Sequence, residues 1–107
     1  MKYSVRIIAD AEEDLFSIYR YVAFHDSSDK AEALLSKLED VCLSLGEFPH
    51  RGHVPCELER VGIKTYREVH FKPYRIIYQV VKKDVFIHCV LDGRRDLMDL
   101  LRERLLR

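Results

Sequence analysis

The side chains best suited to chemistry in this chain are arginines at two places. Arg94 and Arg95 stand side by side in VLDGRRDLMDLLRERLLR, residues 90–107, between an apolar strand-like run and a run with helical periodicity. A strand-to-helix turn needs a glycine for backbone freedom and a short polar residue to cap the helix, and Gly93 and Asp96 supply them. Neither role requires a guanidinium, so the pair is a candidate for function; the bland alternative is a solvated turn anchored to Asp92 and Asp96. The second place is Arg75, in YREVHFKPYRIIYQV, which can either serve a function or pair with Glu68 across a strand meander. His88 lies in VFIHCVL, and a strand histidine with no second group to orient it is more often a satisfied packing residue than a proton carrier. Tyr66, Tyr74 and Tyr78 are likewise read as packing residues before acids.

Other reactive types offer less. Cys42, Cys56 and Cys89 are odd in number and widely spaced, fitting neither a disulfide framework nor a CxxC metal site, and the five histidines are scattered. Cys42 and Cys89 read as small core residues. No metal and no cofactor is expected.

Charge is distributed more tellingly than its total of zero. Residues 1–59 hold 6 Lys/Arg against 12 Asp/Glu, and residues 60–107 hold 12 against 6, so the two halves carry −6 and +6. Such asymmetry implies either complementary faces inside the fold or a basic surface suited to nucleic acid or an acidic protein segment. At 107 residues, about half of them apolar, the chain is expected to form one domain over 1–107 with a single hydrophobic core. No window approaches the roughly 18 apolar residues of a membrane span. The N-terminus has no signal-peptide apolar region either, so a cytoplasmic location without membrane contact is expected.

The elements that must position the arginines follow from periodicity. In KYSVRII, Tyr3, Val5 and Ile7 alternate with Lys2, Ser4 and Arg6, the period of a half-buried strand. From Asp10 the step changes: Ala11, Leu15, Ile18, Tyr19 and Val22 mark a helix ending near His25, with Glu12, Glu13 and Asp14 in a first turn whose dipole favours acids. Ser27 or Ser28 caps a second helix, striped by Ala31, Leu34, Leu35, Leu38, Val41, Cys42 and Leu45 and stopped by Gly46 and Pro49. The two form an antiparallel hairpin. Glu47 to Lys64 shows no sustained period and reads as a long irregular connection.

TYREVHF, YRIIYQVV and VFIHCVL then suit a three-strand antiparallel meander. Two-residue turns would place Tyr74, Ile76, Tyr78 and Val80 on one apolar face with Val85, Ile87, Cys89 and Leu91, packed under the helices. The opposite face would carry Glu68, His70, Arg75, Gln79, His88 and Asp92 with Ile77, Phe86 and Val90. A three-residue second turn would shift that register. The class is α+β: N-terminal strand, helical hairpin, meander and C-terminal helix.

That order resembles the RelE/ParE superfamily of bacterial type II toxins, also called plasmid stabilisation proteins. AEEDLFSIYRYVA is similar to the family's first helix, LGEFPHRGHVPCEL to its proline-glycine loop, YREVHFKPYRIIYQV to its central hairpin and VLDGRRDLMDLLRERL to its terminal signature, which together cover essentially the whole chain. The resemblance implies a toxin held inactive by a cognate antitoxin whose partly disordered segment wraps it, with a higher-order toxin–antitoxin complex as a further prospect. It leaves the target open, since RelE-like members cut mRNA on the ribosome while ParE-like members poison DNA gyrase.

RNA cleavage without metal needs an activated 2′-hydroxyl, charge stabilisation at the phosphate and a proton for the leaving oxygen. By the resemblance, Arg75 matches the strand arginine that RelE-like nucleases use at the phosphate, and Arg94 or Arg95 their second basic position. Their Tyr or His near the start of the C-terminal segment is missing, because Asp96, Leu97, Met98, Asp99, Leu100 and Leu101 follow Arg95. Their helix lysines are not evident beyond Lys30 and Lys37. DGRRD before a leucine-rich helix resembles the ParE side. The preferred expectation is therefore a gyrase inhibitor that acts by binding rather than as an enzyme, with Glu68, Arg75, Asp92, Arg94 and Arg95 as target- or antitoxin-binding residues. The alternative is a ribosome-dependent mRNA endonuclease in which Arg75, Arg94 and Arg95 hold the phosphate and His88 carries the proton. A third reading is a decayed member that binds its antitoxin and little else.

Overall fold

The computed structural model describes residues 2–105, so the last two residues of the helical run lie outside it. Strand β1 (Ser4–Ile7) leads into helices α1 (Ala9–His25) and α2 (Ser28–Ser44), a short helix α3 (Cys56–Glu59), strands β2 (Arg67–Phe71), β3 (Tyr74–Val81) and β4 (Asp84–Asp92), and helix α4 (Leu97–Leu105). The strands form one sheet in the order β1-β4-β3-β2, antiparallel within the meander, with β1 joining β4 in parallel. Among the described residues no helix is long and apolar enough to cross a membrane.

Local signals explain the helix ends. The Ser27 hydroxyl accepts the Lys30 N–H at 3.1 Å and caps α2, whereas α1 begins behind Ile8 with no side-chain cap and with Asp10 and Glu12 in its first turn. Gly46 ends the hairpin against β1: its carbonyl accepts the Tyr3 N–H at 2.8 Å, and a Cβ there would lie 2.9 Å from the Tyr3 oxygen. Only glycine lets the chain pass so close.

Helices α1 and α2 cover one face of the sheet, burying Ala11, Leu15, Leu38 and Cys42 against Ile76, Tyr78, Val85 and Ile87. A second apolar cluster occupies the other face, where Leu58 of α3 and Leu97 and Leu100 of α4 pack on Ile77, Cys89 and Leu91. Two cores thus replace the single one expected. The face assignment of β4 is corrected with it. Both hairpin turns are two residues long, but the pairing slips between Tyr78, opposite Ile87, and Ile77, opposite Cys89, leaving His88 as an extra residue. This bulge reverses the alternation beyond it. Val90 therefore joins the core under α1 and α2, and Cys89 and Leu91 turn to the α3–α4 side. Burial pushes the Cys42 thiol up to about 12 and the Cys89 thiol up to about 11, so both stay protonated core residues.

The connection from Glu47 to Lys64 is pinned rather than loose. The Tyr78 hydroxyl donates to the Pro49 carbonyl at 2.8 Å and accepts the Gly52 N–H at 3.1 Å, and the Arg67 guanidinium donates to the Gly52 carbonyl at 2.6 Å. His53 bridges Glu68 of the edge strand β2. These bonds set α3 against the sheet and so determine what stands beside Arg75.

Candidate functional site

Between α1 and the ends of β3 and β4 runs a cleft of about 420 Å³. Ile18, Tyr74 and Val90 give it apolar walls, Ser17 and Tyr21 line its α1 side, and Asp92, Arg94 and Arg95 stand at its charged end. The glycine of the turn works by proximity: the Gly93 N–H donates to the Pro73 carbonyl at 2.7 Å, and a Cβ would lie 3.0 Å from that oxygen. Its φ is not positive, so close approach rather than backbone freedom selects glycine here. Asp96 caps α4 as expected, accepting the Met98 and Asp99 N–H groups at 2.9 and 3.2 Å.

The two arginines differ. Arg94 is folded back on Asp92, which accepts its backbone N–H at 2.9 Å and its guanidinium at 3.1 Å, so Asp92 is held below the usual carboxylate range. Arg95 is exposed, and its side chain makes no hydrogen bond or ion pair with the described residues. On the cleft side α1 also exposes Tyr21, with the exposed Phe24 one turn further on.

Arg75 lies on the opposite face. Its guanidinium donates to Glu68 at 2.8 and 3.1 Å and to Glu57 of α3 at 2.8 and 2.9 Å, and its side chain is only 14% exposed. The pairing with Glu68 that the sequence offered is present, with Glu57 as a second partner that the sequence did not suggest. Arg75 holds the Glu57 carboxyl below its usual range. Burial pushes the Glu68 carboxyl up, but bonds from Arg75 and His70 outweigh it and leave Glu68 lowered as well.

A carboxyl whose folded pKa is depressed stabilises the fold fully above its unfolded value of about 4.3, and the contribution is lost as pH falls through the folded value. The stability difference between this chain and an Arg75→Met variant should therefore shrink as pH falls from about 5 to about 3, followed by urea midpoints. A difference that stays constant over that interval would mean that Arg75 does not hold these carboxylates.

His88, the bulge residue, lies on the α3–α4 side with its Nε2 3.2 Å from the Gln79 side chain and its ring edge-on to Tyr66. Burial, assisted by Arg104, pushes its pKa down, which keeps the ring neutral. The six site residues named from the sequence are thus divided: Asp92, Arg94 and Arg95 share the cleft, while Glu68, Arg75 and His88 lie on the opposite face, where His88 meets Gln79 rather than Arg75.

Two arrangements escaped sequence reasoning. Arg104 of α4 pairs with Asp14 of α1 and donates to the His88 carbonyl at 2.9 Å, while Asp14 also accepts the Val90 N–H at 2.9 Å. Burial pushes the Asp14 carboxyl up against the pull of those donors. In sequence Asp14 is one of a run of acids and Arg104 one of several helix arginines, so nothing marks them as partners. His53 and His70 also converge on Glu68, brought together by a β-bridge outside the regular strands.

Residues 5–97 match the family model of the ParE toxin of the type II toxin–antitoxin system parDE. The chain is 33% identical over 84 residues to toxin ParE3 of Caulobacter vibrioides, a match spanning 78% of this chain and 80% of that protein. Its fold is similar to that in the chromosomal ParDE system of P. aeruginosa, with a TM-score of 0.71 at 16% identity over 85% of this chain and 96% of that one. It is also similar to a chain of the RelBE2 toxin–antitoxin complex of Mycobacterium tuberculosis, with a TM-score of 0.64 at 19% identity over 86% and 92% of the two chains. With the strand, hairpin, meander and terminal helix in the same arrangement, the chain belongs to the ParE toxins of type II toxin–antitoxin systems, within the RelE/ParE superfamily.

Proposed function

We propose that this toxin inhibits DNA gyrase by binding it, and that a cognate antitoxin neutralises the toxin by covering the cleft between α1 and β4. The observation that carries the first half is the separation of the arginines. Arg75 spends its guanidinium on Glu57 and Glu68, while Arg94 and Arg95 rim a cleft on the other side of the sheet. A nuclease would need these groups on one phosphate, with a proton donor beside them. Neutral His88, bonded to Gln79, is poorly suited to that part. On programmed translating ribosomes the purified chain should leave mRNA intact. Cuts at defined codon positions in the A site, absent without ribosomes, would overturn this half and favour the RelE-like reading.

The antitoxin half rests on the cleft and on the relatives, since both solved structures belong to toxin–antitoxin systems. An antitoxin tail of acidic and apolar residues suits apolar walls with arginines at one end: burial of apolar area supplies affinity, and charge supplies orientation and encounter rate. Arg94→Ala combined with Arg95→Ala should lower toxicity in a growth assay at equal expression, while the unfolding midpoint stays where it is, as for other solvated ion pairs. Antitoxin binding should weaken only partly and become less sensitive to salt. Full toxicity of the folded double variant would mean that the pair is a charged turn and nothing more. A small neighbouring gene encoding a DNA-binding fold with an amphipathic tail is the expected source of the antitoxin.

A further inference from the structure

His53, Glu68 and His70 occupy one face of a short ladder. His53 stands opposite Glu68 in the bridge, with backbone N–H to carbonyl distances of 3.1 and 2.7 Å, and His70 is two residues beyond Glu68 on the same strand. Opposed residues and residues two apart on a strand point to the same side, so the backbone itself aims all three side chains into one hollow. The His70 Nε2 lies 2.7 Å from one Glu68 oxygen and the His53 Nε2 3.5 Å from the other, and one donor atom from each residue falls within 4.8 Å of those of the other two. We propose that this hollow is a binding site for a borderline divalent transition-metal ion, with zinc as the fitting case, held by His53, Glu68 and His70 with water at the remaining position.

The chemistry of the donor set supports that choice. Two imidazoles and one carboxylate suit zinc and its neighbours and suit magnesium or calcium poorly. A tetrahedral zinc with bonds of about 2.0–2.2 Å needs its ligand atoms about 3.4 Å apart, which small rotations of two half-exposed imidazoles provide. The carboxylate is already oriented, because Arg75 bonds both oxygens of Glu68 and is itself held by Glu57. Outer partners of this kind fix a ligand before the metal arrives. Binding would hold the His70 Nε2 on the ion in place of its present contact with Glu68. It would also staple the segment that carries His53 to the edge strand β2.

The test uses the full chain carrying Cys56→Ser, which removes the exposed thiol as a competing ligand. Zinc chloride is titrated calorimetrically and the thermal midpoint followed, with magnesium chloride as control. Zinc should bind and raise the midpoint where magnesium does neither. His53→Ala and His70→Ala should each weaken zinc binding by roughly tenfold or more and remove the zinc-induced rise above the variant's own metal-free midpoint. Cobalt(II) supplies a reading that needs no further variant: an intense visible band of a tetrahedral site, bleached by zinc. Zinc affinity that survives either histidine substitution, a pale octahedral cobalt spectrum, or a midpoint indifferent to zinc would overturn the site.

Discussion

Arg75→Ala should lower folding stability by about 3–5 kcal/mol, the range for breaking a buried ion pair by removing one partner. Glu68 is 3% exposed, and without the guanidinium its charge stays buried with only imidazoles near it, while Glu57 loses the bonds that hold α3 to the sheet. A domain of this size has about 5–15 kcal/mol to lose, so the variant approaches the unfolding threshold. Arg75→Lys should recover only part, since one ammonium cannot meet two carboxylate forks. Urea unfolding measures this directly. A variant of unchanged stability that has lost its action on the target would show instead that Arg75 serves recognition.

Asp14→Ala is the second substitution with a large expected effect, about 3 kcal/mol or more. It leaves the Arg104 charge in a largely buried place without its closest partner and the Val90 N–H without its acceptor, at a point where α1, β4 and α4 are tied together. Arg104→Ala should cost less, and less still as pH falls. The Asp14 carboxyl, already pushed up by burial, can take a proton once its partner is gone, whereas a stranded guanidinium cannot give one up. Hydrogen exchange should report faster opening of the α4 amides in both variants. Equal and small losses, under about 0.5 kcal/mol as at ordinary surface sites, would mean that the pair does not dock α4.

Much of the scaffold was legible because its signals are local. The alternation of Tyr3, Val5 and Ile7, the Ser27 cap and the stripe from Ala31 to Leu45 each depend on neighbours a few residues away, and each produced the element expected. The bulge at His88 was not legible, because β4 is apolar at both odd and even positions around it, so no period marks the slip. The second core followed the same pattern: Cys89 and Leu91 face α4 only once that slip is known. At the site, Arg94 and Arg95 could be named from their turn, but their separation from Arg75 depends on which face each side chain takes. Charge asymmetry between the halves finds part of its explanation inside the fold, since Asp14 and Glu57 of the acidic half meet Arg104 and Arg75 of the basic one.

The most direct test of the central claim is a supercoiling assay with purified DNA gyrase, relaxed plasmid and ATP, with increasing amounts of the toxin added and the products treated with detergent and protease. The account predicts loss of supercoiling or accumulation of linear, gyrase-cleaved DNA, and release of either effect when the cognate antitoxin is included. Full supercoiling with no cleaved DNA at a toxin excess, from folded protein that still arrests growth, would contradict it.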